Sequence, residues 1–126
     1  MPQPPLPVSF VSADLAESEA DLIVAFAITP LDDPMGLENL ILMRTPKYEG
    51  LLPPEERGVL VTYDGNAEDE RGYLRTVTLD EGVAQVQTAS HLYTLNLKKV
   101  DPAEIELMLK ALRRMNFDSI FQITGV

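Results

Sequence analysis

The stretch GYLRTVTLDEGVAQVQTA, residues Gly72–Ala89, indicates the fold of this protein more clearly than any other part of the chain. Two runs of alternating apolar and polar residues flank Asp80–Gly82, whose composition favours a tight hairpin turn. Simple alternation assigns Tyr73 and Val77 to one face of the first run and Leu74 to the other face. A strand with one packed face and one partly wet face is typical of an antiparallel sheet.

Further strands are predicted on both sides of this hairpin. The apolar run Leu22–Thr29 ends at Pro30 and has the length and β-branched content of a strand buried on both faces. The other predicted strands are Leu37–Thr45, Gly58–Asp64 and Leu92–Lys99, with a short apolar alternation at Val8–Ser12. The connection Pro46–Arg57 is expected to be irregular, with one helical turn after Pro53 and Pro54.

A helix is predicted directly after Asp101. Asp101 is a favourable N-cap, Pro102 suits the first helical position, and Glu104 has the spacing of a capping box. One apolar stripe recurs at helical spacing and consists of Ile105, Met108, Leu109, Leu112 and Met115. We expect this stripe to cover the sheet, with docking to a partner's helix as the alternative. Asn116 is expected to end the helix in the left-handed conformation.

These elements predict a single α+β domain, an antiparallel meander with a C-terminal amphipathic helix packed on one face of the sheet. The chain has 126 residues, a length typical of one domain. Residues 1–7 contain four prolines and are expected to form a flexible arm, so the domain is expected to span residues 8–126. The tail after Asn116 is apolar enough to return as a strand or to lie against the sheet.

Composition excludes several classes of function. The chain contains no cysteine, which rules out disulfides and thiolate chemistry. It contains no apolar run near the roughly 20 residues of a membrane span. The start MPQPPLP has neither the basic nor the apolar region of a secretory signal, so we expect a cytoplasmic protein without membrane contact.

Charge is the most informative bulk property. Twenty acidic residues against ten basic residues give a formal net charge of −10 and a pI near 4.4. Such a field repels nucleic acid, because phosphate binding needs clustered lysine and arginine. It favours encounter with a basic protein, although solubility alone would also explain it.

The stretch Thr62–Tyr73 carries the densest acidic cluster. Its spacing differs from a calcium loop of the EF-hand type, because Asp69 occupies the sixth position in place of glycine and Arg75 occupies the twelfth in place of glutamate. We therefore expect an exposed connection between strands and no metal site. The residues expected to contact a basic protein partner are Glu55, Glu56, Asp64, Glu68, Asp69 and Glu70.

No catalytic signature is present in the sequence. His91 is the single histidine, and we expect a partly exposed strand residue, since a catalytic histidine needs a nucleophile or an acid beside it. The acid pairs Asp32–Asp33, Glu55–Glu56 and Asp80–Glu81 lie in predicted turns, where neighbouring side chains point into water. The sequence predicts no catalytic residues, no cofactor and no enzyme activity.

The order of elements resembles a known family. The quoted segments are LIVAFAIT, ENLILMR, GVLVTYDG with RGYLRTVTLDEGVAQV, and LYTLNLKKVDPAEIELMLKALRRM. This outline, over roughly residues 8–115, is similar to the small immunity proteins of bacterial polymorphic toxin systems, in particular the immunity-protein family numbered ten. The resemblance implies an inhibitor that binds a cognate toxin in the same cell and carries no catalytic residues.

Two other functions remain open from the sequence. An acidic secretion chaperone is also small and α/β, and it would usually form a stable dimer. A small enzyme or ligand-binding domain would need a deep pocket that contains acids with shifted pKa values or His91.

Overall fold

The computed structural model describes residues 5–15, 21–29, 35–54, 57–64 and 71–125. Within these ranges the chain forms eight strands, one α-helix and one 3-10 helix. The strands are β1 (Leu6–Leu15), β2 (Leu22–Ile28), β3 (Glu38–Arg44), β4 (Leu60–Tyr63), β5 (Arg71–Asp80), β6 (Val83–Thr88), β7 (Leu92–Asn96) and β8 (Gln122–Thr124). The 3-10 helix is Pro46–Leu51 and the α-helix, α1, is Pro102–Met115. The protein is mixed α+β with a C-terminal helix, as the sequence predicts.

The strands form one mostly antiparallel sheet. Each strand from β1 to β6 pairs antiparallel with the strand that follows it. β7 also pairs parallel with the start of β1, where Leu6 lies opposite Leu95, so the seven strands are linked in a closed ring. β8 pairs parallel with the second half of β5, with Val77 opposite Ile123. Of the two placements expected for the tail, the strand is the one observed.

The predicted hairpin is present, and its turn has the expected chemistry. Asp80 pairs with Val83, and the two residues between them have left-handed backbone conformations, Glu81 with φ 49° and Gly82 with φ 82°. Positive φ at both central positions matches the twist of the flanking strands.

A β-bulge in β5 overturns the predicted assignment of its faces. The register of β5 against β6 shifts between Leu74 and Thr76. Because the extra residue reverses the alternation, Leu74 and Val77 are both buried although they are three residues apart, and Tyr73 lies partly exposed. The prediction that Tyr73 and Val77 share a face was therefore wrong, since simple alternation cannot anticipate a bulge.

The core is filled by side chains from the strands and from α1. β2 and β3 supply alternate residues, Val24, Phe26 and Ile28 from β2 and Leu40 and Leu42 from β3. α1 lies against β1 and β2 and supplies Met108, Ala111, Leu112 and Met115 to the same cluster. Burial of large apolar side chains on this scale is the dominant stabilising term for a small domain.

The N-terminus of α1 is capped as predicted, with one difference. The Asp101 side chain accepts a hydrogen bond from the Ala103 N–H at 2.9 Å. Glu104 Oε1 accepts from the Val11 N–H at 2.7 Å and so connects α1 to β1. One edge of β1 pairs with β7, but this pairing covers only Leu6 and Pro7. The N–H of Val11, farther along the same strand, therefore needs an acceptor from another element. Glu104 therefore has a tertiary role in place of the predicted capping box.

The C-terminal end of α1 differs from the prediction. Asn116 has φ −98° and is not left-handed, whereas Ser119 has φ 56°. The Asn116 Oδ1 atom accepts from the Phe121 N–H at 3.1 Å, so the side chain orders the turn that leads into β8. The left-handed residue is therefore Ser119, three positions after Asn116, where it was predicted.

Two further boundaries differ from the sequence analysis. Leu6 and Pro7, which were expected to belong to the arm, lie in β1, and the Pro7 carbonyl accepts from the Thr29 N–H at 3.1 Å. A proline is tolerated near the start of a strand, where its missing N–H is not needed. The 3-10 helix Pro46–Leu51 was not predicted. The helical turn expected after Pro53 and Pro54 falls partly outside the described residues.

Candidate functional site

Five of the six acidic residues predicted to bind a partner lie outside the described residues; they are Glu55, Glu56, Glu68, Asp69 and Glu70. The sixth, Asp64, is exposed at the end of β4. Its Oδ1 atom accepts from the Asn39 N–H at 2.7 Å, and its own N–H donates to the Asn39 carbonyl at 3.2 Å. Asp64 therefore closes the end of the β3–β4 pair.

His91 is partly exposed, as predicted, but it lies immediately before β7 and not within the strand. Its Nδ1 atom is 3.0 Å from Ser90 Oγ, and its ring stacks on Tyr93 with a centroid distance of 5.7 Å. Tyr93 in turn meets Tyr63 edge to face at 5.5 Å. Burial, together with a hydrogen bond to Glu38, raises the pKa of Tyr63. The rings of His91, Tyr93 and Tyr63 thus form one continuous row of contacts.

The described part of the chain contains no group of three or more histidine, aspartate or glutamate side chains arranged to hold a metal ion. None of the helices within the described ranges has the length and apolar character that crossing a membrane requires.

An ion-pair cluster centred on Arg44 is the most unusual feature of the interior. We call Arg44, Glu49, Met115 and Asp118 the Arg44 cluster. Arg44 is only 2% exposed at the end of β3. Its Nε and Nη2 atoms donate to Glu49 at 2.8 and 2.9 Å, and its Nη1 and Nη2 atoms donate to Asp118, each at 2.8 Å. Nη1 also donates to the Met115 carbonyl at the end of α1, at 2.6 Å.

Each N–H of the guanidinium thus has an acceptor, which is the condition for burying an arginine at acceptable cost. The hydrogen bonds from Arg44 hold the pKa values of the Glu49 and Asp118 carboxyls below their ordinary values. The same carboxylates raise the pKa of Arg44. All three groups are therefore ionised at neutral pH, and one positive charge faces two negative charges.

Sequence reasoning missed the Arg44 cluster. One signal was available, because Arg44 continues the alternation of Leu40 and Leu42 on the core face of β3. A charged residue at a core position implies a buried partner. The partners lie 5 and 74 residues away along the chain, and no local pattern identifies them.

Exposed apolar side chains gather around the Arg44 cluster. We call Leu51, Leu52, Tyr73, Phe117 and Ile120 the apolar patch; all five are exposed. The Phe117 ring lies over the guanidinium, with Arg44 Cζ 4.3 Å from the ring centroid. A Cβ atom on Gly58 would lie 3.3 Å from Ile120 Cδ1 and 3.6 Å from Tyr73 Cδ1, so these two side chains flank Gly58.

A shallow cavity of ≈ 200 Å³ opens within the apolar patch. It is lined by Met43, Arg44, Thr45, Glu49, Leu52, Gly58, Leu60 and Tyr73. Three separate segments meet at this cavity. They are the end of β3 with the 3-10 helix, the residues that lead into β4, and the start of β5. Contiguous exposed apolar surface of this kind marks interaction sites more often than isolated exposed residues do.

A second, larger cleft of ≈ 300 Å³ lies at the β5–β6 turn. It is lined by Thr78, Asp80, Glu81, Val83, Gln85 and Lys98. Most of these side chains are polar and already well solvated, so little free energy would be gained by covering them. The apolar patch is the stronger candidate site.

Comparisons with protein-family models, with known proteins and with solved structures gave no match for this chain. The fold and the site therefore define a class only, an acidic α+β domain with an apolar surface patch beside a buried ion-pair cluster.

Proposed function

We propose that this protein is a protein-binding inhibitor of the bacterial immunity type, which acts in the cytoplasm by covering a basic toxin. The single observation that carries the proposal is the apolar patch, five exposed apolar side chains of which two, Leu52 and Tyr73, line one cavity. An apolar centre with a polar rim is the usual anatomy of a protein-protein interface.

The Arg44 cluster supports the proposal because it makes the patch rigid. Glu49 belongs to the 3-10 helix that ends beside Leu52, and Asp118 lies between Phe117 and Ile120. Arg44 binds both carboxylates and so holds these two segments at a fixed separation. A preorganised surface loses less conformational entropy when a partner binds, which favours affinity.

Charge also supports the proposal. In the sequence, Glu55 and Glu56 fall between Leu52 and Gly58, which both line the cavity, and Glu68–Glu70 ends three residues before Tyr73. Both acidic segments thus adjoin the apolar patch along the chain. We propose that they speed encounter with a basic partner, while the patch provides the affinity.

We further propose that α1 is amphipathic and covers one face of the sheet.

The test is affinity capture from the source cell's lysate at low salt, followed by a salt step. The wild-type chain is compared with a variant that carries Leu52→Ser and Phe117→Ser. The control carries Leu92→Ser and Leu107→Ser, two exposed leucines outside the patch. We expect a basic protein to be released by salt from the wild type and from the control, and to be lost from the patch variant.

The captured protein is then purified, and its activity is measured with and without the chain. Inhibition at stoichiometric ratio supports an immunity-type function. A partner retained equally by the patch variant, or a partner whose activity the chain leaves unchanged, contradicts the proposal. A stable dimer of the chain by light scattering would instead favour the secretion chaperone.

A further inference from the structure

We propose that the cavity within the apolar patch is an anchor pocket that receives one large apolar side chain, best an aromatic ring, from the basic protein partner. This inference rests on the proposed function and adds the chemistry of the contact. In many interfaces one or two such anchors, seated in a pocket, carry most of the binding energy.

Size is the first argument. Pockets for small-molecule ligands have volumes of about 300–1,000 Å³. The cavity here measures ≈ 200 Å³, which is below that range. A cavity of about 150 Å³ with apolar walls is sufficient for benzene. The cavity therefore has room for one aromatic or branched aliphatic side chain and little more.

The chemistry of the walls is the second argument. Met43, Leu52, Leu60 and Tyr73 give the cavity apolar sides, and Arg44 and Glu49 form its polar part. All five N–H groups of the Arg44 guanidinium are already used, by Glu49, Asp118 and the Met115 carbonyl. No donor of Arg44 is left to bind an anionic ligand, so the walls of the pocket favour an apolar group.

Charge is the third argument, and it indicates which residues of the partner lie on either side of the anchor side chain. The chain carries a net charge of −10, and the acidic segments described above adjoin Leu52 and Tyr73 in the sequence. Arg57 is a basic residue at this rim, where its Nε donates to the Leu52 carbonyl at 3.0 Å. A partner segment with an aromatic residue between lysines or arginines complements this surface.

The probe is the capped pentapeptide Lys-Lys-Phe-Lys-Lys, compared with Lys-Lys-Ala-Lys-Lys. Binding to the full chain is followed by NMR of the methyl groups of Met43, Leu52 and Leu60. Burial of the ring predicts that the Phe peptide binds at least about tenfold more tightly than the Ala peptide. We expect Leu52→Ala to abolish this preference and Leu107→Ala to retain it, since both leucines are 40% exposed and only Leu52 lines the cavity.

Each outcome has a distinct meaning. A preference for the Phe peptide that is lost in Leu52→Ala and mapped to the cavity methyl groups supports the anchor pocket. Equal binding of the two peptides overturns the pocket and leaves the acidic protein-binding function standing. A failure of both peptides to bind at millimolar concentration overturns the pocket and also argues against a basic partner. Shifts confined to the β5–β6 cleft would place binding elsewhere and overturn the inference.

Discussion

The Arg44 guanidinium and the Asp118 carboxylate are joined by two parallel hydrogen bonds of 2.8 Å, although 74 residues separate them in the chain. With the bidentate contact to Glu49, Arg44 ties β3, the 3-10 helix and the turn after α1 together. A buried ion pair adds little net stability relative to an apolar core, but its disruption is costly, because it leaves a charge without a partner. The cluster therefore specifies how these three segments meet.

Arg44→Met is expected to lower the free energy of unfolding by about 3–5 kcal/mol, since it leaves the Glu49 carboxylate buried and unpaired. The cost arises mainly from Glu49, because Asp118 is 41% exposed and water can replace its partner. Urea denaturation measures the change. Arg113→Met is the matched control, an exposed arginine on α1, and should change stability by less than about 0.5 kcal/mol. Equal midpoints for the two variants would show that the cluster is not structural.

Stability is also expected to fall in acid, with a sign set by the lowered pKa values of Glu49 and Asp118. Their ordinary values are 4.5 and 3.8, to which they return in the unfolded chain. The stability that they contribute is complete above these ordinary values and is lost as the pH falls through the lower values of the folded state.

The measurement for this prediction is the free energy of unfolding between about pH 7 and pH 3, for the wild type and for Asp118→Asn. We expect the wild type to be the more stable at neutral pH and the difference to shrink in acid, because the protonated carboxyl resembles the amide. A difference that stays constant with pH would mean that the charge on Asp118 does not contribute.

Glu104→Ala is expected to cost about 1–3 kcal/mol, because it leaves the N–H of the buried residue Val11 without its acceptor. Glu106→Ala is the control, since Glu106 is an exposed glutamate on the same helix and keeps charge and helix propensity matched. Urea denaturation measures stability, and hydrogen exchange of the Val11 amide reports the local effect. Unchanged protection of Val11 in Glu104→Ala would contradict the assigned role.

Local patterns predict the parts of this fold that local chemistry determines. The turn at Glu81–Gly82, the cap at Asp101 and the start of α1 depend on residues adjacent in sequence, and all three are observed. The bulge beside Leu74 and the bond from Val11 to Glu104 depend on how separate elements meet. Single-sequence patterns carry no information about such contacts.

The candidate site follows the same division. Its charge is evident from composition, and the acidic segments were predicted from it. The apolar patch was not predicted, because Leu52, Tyr73, Phe117 and Ile120 come from three distant parts of the chain. Phe117 and Ile120 sit in a turn where apolar residues are unexpected, and this was the one signal available.

The acidic segments and the apolar patch are expected to affect different rate constants for the partner. Reversal of Glu68, Asp69 and Glu70 to lysine should slow association and weaken its dependence on salt, because long-range attraction acts before contact. Leu52→Ala should leave association nearly unchanged and speed dissociation, because the anchor acts after contact. Surface plasmon resonance with the captured partner at several salt concentrations separates the two effects.

The control variant for the acidic segment reverses Asp80, Glu81 and Glu106 to lysine, which changes the net charge by the same amount at another place. If this control slowed association as much as the first variant, net charge and not the position of the acids would govern encounter.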